Sequence, residues 1–236
     1  MAVKSFVRRA FGRWIPSLDP DRYQSHFVDK SPNDIFSTIY RKKLWGGRLS
    51  FGPHSGSGSR NRTVVDPYIK AVRQFLLSHG RPTVIDLGCG DFHVGSQLVD
   101  CAGHFIGCEI VDFVIEQNRR KFPSVEFRTV NAIEDNLPEG GIILVRQVLQ
   151  HLSNGDVAKI LPKLCRYKYA VITEHLPGFA GFVPNLDKKT GADHRVTLGS
   201  GLVLTEPPFS LESKGSQILC DVPEFGGIIR TIAFEF

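Results

Sequence analysis

A glycine-rich turn follows a short apolar run in the first half of the chain. Residues 83–95 read TVIDLGCGDFHVG. The β-branched run predicts a strand, Gly88 and Gly90 predict a tight turn, and the apolar spacing after the turn predicts a helix. Because neither glycine carries a Cβ, a ligand can approach the backbone at this turn. The arrangement indicates a nucleotide-binding site.

The residues that follow the turn narrow the class of ligand. A dinucleotide fingerprint needs a third glycine three residues after Gly90, where this chain has His93. Asp91 places a carboxylate in the loop, and it would repel the phosphate that a helix N-terminus otherwise attracts. The loop therefore favours a ligand with a cationic amine or sulfonium beside a ribose. S-adenosylmethionine is such a ligand.

An acidic residue closes the next predicted strand. Residues 105–109 read FIGCE, and Glu109 lies 109 − 86 = 23 residues after Asp86. This is near the spacing at which a carboxylate meets ribose hydroxyls. Asp112 is the alternative acid, but we expect it to cap the following helix. For the glycines, the alternative is an ordinary strand-to-helix turn. For Glu109, the alternative is a solvated strand end.

Residues 86–90 (DLGCG) resemble the first motif of the class I S-adenosylmethionine-dependent methyltransferases, although Phe92 stands where the family often has a further glycine. The resemblance covers residues 83–173. It implies an α/β fold, in which helices flank a Rossmann-like, mostly parallel seven-stranded sheet that ends in an antiparallel hairpin. It also implies S-adenosylmethionine as the cofactor, bound in part by Asp86, Gly88, Cys89, Gly90 and Glu109.

The resemblance also implies cofactor contacts elsewhere in the chain. Asn131 and Ala132 end the third predicted strand, where the family has a polar pair that accepts from the adenine amine; a helix cap is the alternative for Asn131. Gln147, after the fourth strand, is expected beside the methionine part of the cofactor. Trp45 and Ser57 belong to an N-terminal segment that either covers the cofactor or is a plain linker.

Three residues near the ends of the fourth and fifth predicted strands are candidates for catalysis. His151 is four residues after Gln147 and could take a proton from an attacking hydroxyl or amine, or could serve only in packing. Glu174 and His175 end the fifth strand, on the other side of the crevice where open α/β sheets bind ligands.

The residues predicted to bind the methyl acceptor come from the two ends of the chain. An arginine suits a carboxylate or phosphate because its guanidinium pairs with either in a fork. The predicted acceptor-binding residues are Tyr40, Arg195 and Phe209.

Composition limits the class of protein. With 236 residues and 42% hydrophobic content, we expect one α/β domain, and there is no apolar run of membrane-spanning length. The five cysteines contain no CxxC pair, which predicts neither a metal site nor a disulfide framework and fits a cytoplasmic location. The net charge of +5 is a modest excess that makes a nucleic-acid partner unlikely but could favour an anionic small acceptor.

Periodicity divides the chain into a helical extension with a predicted covering loop (residues 1–62) and a cofactor-binding domain (residues 63–236). Residues 1–16 form a basic amphipathic pattern, which either packs onto the domain or contacts a membrane or RNA. Ser31 is expected to cap a helix that has Pro32 in its first turn. Further helices are predicted at 63–79, 94–101, 113–121 and 156–165, and strands at 84–87, 105–109, 125–130, 142–145, 169–173, 217–222 and 228–236.

These features predict methyl transfer from S-adenosylmethionine to the oxygen or nitrogen of a small molecule. One alternative is an RNA or protein methyltransferase that uses the basic N-terminal region. Residues 145–148 (VRQV) lack the Pro-Pro-aromatic motif of many enzymes that methylate nucleic-acid amines. A second alternative is a ligand-binding relic of the fold without turnover.

Overall fold

The computed structural model describes residues 27, 29–46 and 55–236, with Ser57 described by its backbone alone. The predicted basic helix at residues 1–16 lies outside this part. Helix α1 spans Pro32–Arg41, and a 3₁₀ turn spans Ser57–Ser59. The side chain of Ser31 accepts a hydrogen bond of 3.2 Å from the amide of Asp34, so the predicted N-cap is confirmed.

Seven strands form one sheet with five parallel members and a C-terminal antiparallel pair. The order is β3-β2-β1-β4-β5-β7-β6. Strands β1 and β4 are parallel, and the topological switch point of the sheet lies between them. In such a sheet the crevice outside the carboxyl ends at the switch point binds ligands. The strands are β1 Thr83–Leu87, β2 His104–Glu109, β3 Glu126–Thr129, β4 Ile142–Arg146, β5 Tyr169–Pro177, β6 Gly215–Glu224 and β7 Gly227–Glu235. The predicted fold class is confirmed.

Three further helices cover the two faces of the sheet: α2 Arg62–Ser78, α3 Asp112–Lys121 and α4 Asn154–Leu164. Helix α2 buries Val72 and Leu76 in the core on one face, and α4 buries Val157 and Ile160 in the core on the other. Their apolar residues recur at helical spacing, which is why the sequence predicts these helices. None of the helices in the described ranges is long and apolar enough to cross a bilayer.

The predicted helix at 94–101 is wrong. The chain forms two 3₁₀ turns instead, Gly95–Gln97 and Val99–Cys101. Gly95 packs against the glycine turn, since a Cβ there would lie 2.4 Å from Oδ2 of Asp86 and 2.5 Å from the ring of Phe92. Glycine, serine and aspartate in this segment favour helix weakly, so tertiary packing prevails over the apolar spacing.

Two predicted boundaries also differ from the structure. Val111 is the N-cap of α3, and Asp112 is its exposed first residue, so Asp112 does not cap the helix. Its carboxylate is still near the positive end of the helix dipole. Strand β5 runs four residues beyond the predicted end because antiparallel pairing with β7 continues to Pro177, opposite Gly227.

Candidate active site

The glycine turn is held between β2 and the segment that follows β4. The amides of Gly88 and Cys89 donate to the carbonyl of Cys108, at 2.8 and 2.9 Å. Gly88 has a φ of 73°, and a Cβ there would lie 2.4 Å from Cγ2 of Val148. Gly90 also has a positive φ, of 54°. Both positions therefore need glycine, as the sequence predicts.

Phe92 has a φ of 59°, the left-handed conformation that glycine adopts most easily. Its ring is fully buried and makes edge contacts with Phe105, Phe122 and Phe127, with centroids 4.8 to 5.6 Å apart. This aromatic packing offsets the backbone cost, which is about 1–2 kcal/mol for a non-glycine residue. The loop thus keeps the turn of a glycine-containing motif and adds a hydrophobic anchor.

Glu109 ends β2 with its carboxylate facing the glycine turn. Its Oε1 accepts from the amides of Ile110 (2.9 Å) and Val111 (3.3 Å), and its Oε2 accepts from the amide of Gly90 (3.3 Å). The hydroxyl of Tyr40 is hydrogen-bonded to the same group. Burial raises the pKa of Glu109, whereas these donors lower it. The structure thus places the predicted ribose acceptor directly beside the glycine turn.

Residues 55–60 lie over the glycine turn, where the sequence predicts a covering loop. The amide of Asp91 donates to Oγ of Ser55 (2.9 Å), which also contacts Oδ1 of Asp91 at 3.0 Å. Arg60 Nη2 lies 2.6 Å from Oδ2 of Asp91. The charge of Asp91 is thereby compensated by the covering segment. Ser55, Arg60 and their contacts with Asp91 are not apparent from sequence spacing.

A second arginine holds the covering segment from the opposite side. Arg146, at the end of β4, donates to the carbonyl of Gly58 (3.0 Å) and to Oγ of Ser59 (3.3 Å), and its guanidinium lies 5.1 Å from the ring centre of Tyr68. Burial raises the pKa of Asp86 to about 7, and the Arg146 charge opposes this shift. Arg146 is not among the site residues predicted from the sequence, although a charged residue at the end of a buried strand is a signal for it.

The remaining predicted cofactor residues lie at the same edge. Gln147 has a φ of 54°, and its amide donates to Thr173 at 2.7 Å. Oδ1 of Asn131 accepts from the amide of Ile133 at 3.0 Å, so it stabilises a local turn in the way a cap would. The carbonyl of Ala132 accepts from a lysine of α4. Contact of Asn131 and Ala132 with adenine stays a prediction, and the side chain of Ser57 lies outside the described residues.

His151 lies in a 3₁₀ turn, Leu149–His151, and Trp45 covers its ring with 5.0 Å between the centroids. Nδ1 is 3.1 Å from the carbonyl of Asp193, which can only accept, so Nδ1 carries the hydrogen and Nε2 the lone pair. Nε2 has a long contact of 3.4 Å with Nε2 of Gln150. Burial, followed by the nearby Lys188, lowers the pKa of His151 to about 3. The imidazole is therefore neutral at physiological pH.

Glu174 and His175 are buried within β5, which continues to Pro177, so they do not end the strand as the sequence predicts. Among the described residues, neither carboxyl oxygen of Glu174 has a hydrogen-bond partner of ordinary geometry, although the backbone amides of Leu149 and Gln150 lie near enough to lower its pKa. Burial raises the pKa of Glu174 to about 8 despite the nearby Arg195. Nε2 of His175 donates to the carbonyl of Glu224 at 3.0 Å, and its ring centre is 5.6 Å from that of His194. Burial lowers the pKa of His194 to about 4.

Arg195 is fully buried, and all five of its N–H donors are used within the protein. Its guanidinium holds the turn that carries His151 against the segment after β5. The acceptors are the carbonyls of Leu149, Gln150, Leu152 and Leu186 and the side-chain oxygen of Asn154, at 2.7 to 3.3 Å. No N–H of Arg195 is left for an anionic acceptor in this conformation. Phe209, also predicted to bind the acceptor, packs partly buried against the hydrophobic core.

Tyr40 and Trp45 join the two halves of the site. Tyr40 lies at Glu109, and its ring centre is 5.4 Å from that of Trp45. Nε1 of Trp45 donates to the carbonyl of Ala192 at 3.1 Å, on the side of His151. Within the described ranges, no three His, Cys, Asp or Glu side chains come together as a metal site.

Comparison with known proteins gives similarity of structure alone. No family profile and no curated protein matches the sequence. Magnesium protoporphyrin IX methyltransferase from Synechocystis PCC 6803, with bound S-adenosylmethionine, has a TM-score of 0.56 and 13% identity, over 89% of this chain and 99% of that one. Human N-acetylserotonin methyltransferase, in complex with S-adenosylmethionine, has a TM-score of 0.57 and 14% identity, over 99% and 65%.

The N-methyltransferase NodS from Bradyrhizobium japonicum, in complex with S-adenosylhomocysteine, has a TM-score of 0.52 and 11% identity, over 74% of this chain and 88% of that one. Identities this low show the fold. The chain has the fold of the class I S-adenosylmethionine-dependent methyltransferases.

Proposed function

We propose that this protein transfers the methyl group of S-adenosylmethionine to an oxygen or nitrogen atom of a small-molecule acceptor. The observation that carries the proposal is the buried carboxylate of Glu109, which accepts from the amide of Gly90 at the carboxyl edge of the sheet. A carboxylate at this place can accept two hydrogen bonds from the vicinal hydroxyls of a ribose. Proteins of the same fold are known with S-adenosylmethionine or S-adenosylhomocysteine bound.

The residues around Glu109 fit a nucleoside with a sulfonium side chain. The backbone of Gly88, Cys89 and Gly90 lines the approach, and we assign Asn131 and Ala132 to the adenine side. We assign Gln147 and Trp45 to the methionine portion of the cofactor, with Ser57 as a further predicted contact. The sulfonium supplies an already activated methyl group, so the protein mainly aligns the acceptor and keeps water away.

His151 is the residue that we assign to the attacking group of the acceptor. Its Nε2 lone pair can accept the hydrogen of a hydroxyl or amine, which would replace the long contact with Gln150. With a pKa of about 3, this imidazole is unprotonated throughout the physiological range. The reaction rate therefore has no reason to rise through a titration near pH 6.5. Glu174 and His175 are assigned to the far wall of the same crevice.

Lys188 is the cation that we assign to pair with an anionic group of the acceptor. Its Nζ donates to the carbonyl of His151 at 3.1 Å and so lies beside the proposed reaction centre. Burial lowers the pKa of Lys188 to about 8, which leaves the ammonium mostly protonated at pH 7. Arg195, whose donors are committed, would support this region from beneath, while Tyr40 and Phe209 are the further proposed acceptor contacts.

A cytoplasmic location is part of the proposal. All five cysteines are free thiols, and Cys89, Cys101 and Cys108 are buried. Free thiols persist in a reducing compartment.

Equilibrium binding tests the cofactor, and product release tests the activity. We expect S-adenosylmethionine and S-adenosylhomocysteine to bind while NAD does not. An acceptor screen with labelled methyl donor should yield S-adenosylhomocysteine with at least one hydroxyl or amine compound. Tight NAD binding without affinity for S-adenosylmethionine would contradict the proposal.

A further inference from the structure

The hydrogen-bonding capacity of Glu109 is already used by the protein. An ionised carboxylate offers about four acceptor positions. Three of them are taken by the amides of Ile110, Val111 and Gly90, and the hydroxyl of Tyr40 is hydrogen-bonded to the same carboxylate. The acceptor positions that a ribose diol needs are thus shared with a side chain from α1.

The space above Gly90 is filled by the same N-terminal region. A Cβ on Gly90 would lie 2.2 Å from Oγ of Ser55 and 3.2 Å from the hydroxyl of Tyr40. The hydroxyl of Ser55 also contacts Tyr40 and the amide of Asp91. Two protein hydroxyls therefore occupy the surface that the glycine leaves open, between Glu109 and Asp91.

We propose that Tyr40 and Ser55 are internal substitutes for ribose hydroxyls, which occupy Glu109 and the face of Gly90 and must withdraw before a nucleoside binds. This inference rests on the proposed function, because it takes Glu109 as the ribose acceptor. It makes the two hydroxyls determinants of cofactor affinity: every nucleoside that binds replaces contacts the protein already makes.

Withdrawal of Tyr40 also affects the acceptor side. Its ring makes edge contacts with Trp45 at 5.4 Å and with Phe113 at 6.4 Å. Trp45 in turn covers His151 and donates to Ala192. A shift of Tyr40 therefore changes the surroundings of Trp45, and its fluorescence reports the shift.

The test is Tyr40→Phe, which removes the hydroxyl and keeps the ring. Binding of S-adenosylhomocysteine and of adenosine is measured by calorimetry and stopped flow. We expect the dissociation constant to fall about threefold to tenfold, with faster association, since Glu109 no longer has to give up a charged hydrogen bond. Ser55→Ala should act in the same direction with a smaller effect.

Tyr167→Phe is the matched control, because Tyr167 is also buried and its hydroxyl donates to the carbonyl of Pro138, away from the glycine turn. It should leave both dissociation constants unchanged. In a Trp14→Phe background, S-adenosylhomocysteine should change the emission of Trp45, the remaining tryptophan.

Unchanged or weaker binding by Tyr40→Phe would overturn the inference and make Tyr40 a wall of the cofactor site. Constant Trp45 emission on binding would also overturn it. If Tyr40→Phe does not fold, Ser55→Ala tests the same effect on affinity. Failure of the unaltered protein and the variants alike to bind either ligand would remove the proposed function itself, and the inference with it.

Discussion

Two sides of the crevice are built in different ways, the proposed cofactor side around Glu109 and the proposed acceptor side around Glu174 and His194. Around Glu109, charges are met by backbone amides and by nearby hydroxyls, and the carboxylate accepts from Gly90, Ile110 and Val111. On the other side, Glu174 and one ring nitrogen of His194 are buried without a hydrogen-bond partner among the described residues. Among the described residues, one such atom lies on the cofactor side, Nε of Arg146, whereas three lie on the other side, the two carboxyl oxygens of Glu174 and Nδ1 of His194.

This difference indicates where a bound ligand would supply missing hydrogen-bond partners. Burying a polar atom without a partner costs about 1–3 kcal/mol, and such atoms are therefore expected at sites where a ligand supplies the partner. The acceptor side has most of these atoms. On the cofactor side the backbone geometry is set by the glycine turn, and a ligand replaces hydrogen bonds that Glu109 already accepts from protein groups.

His151→Ala should lower turnover by about 10²-fold with cofactor affinity nearly unchanged, because the acceptor loses the lone pair that orients its attacking hydroxyl or amine. His104→Ala is the control, since His104 is an exposed residue at the opposite end of β2, paired with Glu126. The turnover of the unaltered protein should show no histidine-like rise between pH 5 and 7, as the pKa of His151 is about 3. Full activity of His151→Ala would show that His151 takes no part in the reaction and that this side of the crevice only binds the acceptor.

Glu109→Ala should weaken S-adenosylhomocysteine binding more than tenfold, since a hydrogen-bonded charged partner is worth about 1.5–3 kcal/mol. Asp112→Ala, which removes the exposed acid at the start of α3, should have little effect. Circular dichroism verifies that both variants fold. If Asp112→Ala gives the larger loss, the ribose acceptor is misassigned.

Arg60→Ala should speed the release of S-adenosylhomocysteine about twofold to fivefold. The contact of Arg60 with the buried Asp91 fastens the covering segment, but Arg60 itself is 45% exposed, and such ion pairs contribute at most about 1 kcal/mol. Arg62→Ala removes the exposed pair with Asp66 nearby and should leave the rate unchanged. Equal release rates measured by stopped flow would show that residues 55–60 do not retain the cofactor.

Glu174→Gln should raise the melting temperature more at pH 8 than at pH 5. The carboxyl pKa is about 8 in the folded protein and about 4.3 when unfolded, so folding retains a proton that the unfolded chain loses. The stability that the protonated group contributes is complete below pH 4.3 and is lost as the pH rises towards 8. Glutamine has no such loss, so the difference in melting temperature should grow by roughly 10 °C. Parallel curves would mean that Arg195 keeps Glu174 ionised.

The sequence by itself determined the parallel sheet, the glycine turn and the acid at the end of β2. These features depend on neighbours within a few residues: β-branched runs form strands, and positions such as Gly88 need a positive φ. The spacing from Asp86 to Glu109 covers a single strand-turn-strand unit, so it could be read without knowing the rest of the fold. The predicted helix at 94–101 does not form, because packing of Gly95 against Asp86 prevails over the apolar spacing. Local pattern therefore does not predict this segment.

Only the tertiary structure decided which partners the polar side chains of the site contact. Arg60 meets Asp91 across 31 positions, Arg146 meets Gly58 across 88, and Trp45 meets Ala192 across 147. Such contacts leave no periodic signal, since each depends on where separate elements pack. The residue type of Arg195 suggested an anion-binding role. In the fold, however, its guanidinium donates to five acceptors from other turns. Residue type sets the chemistry that a side chain can perform, and packing determines which partners remain for it.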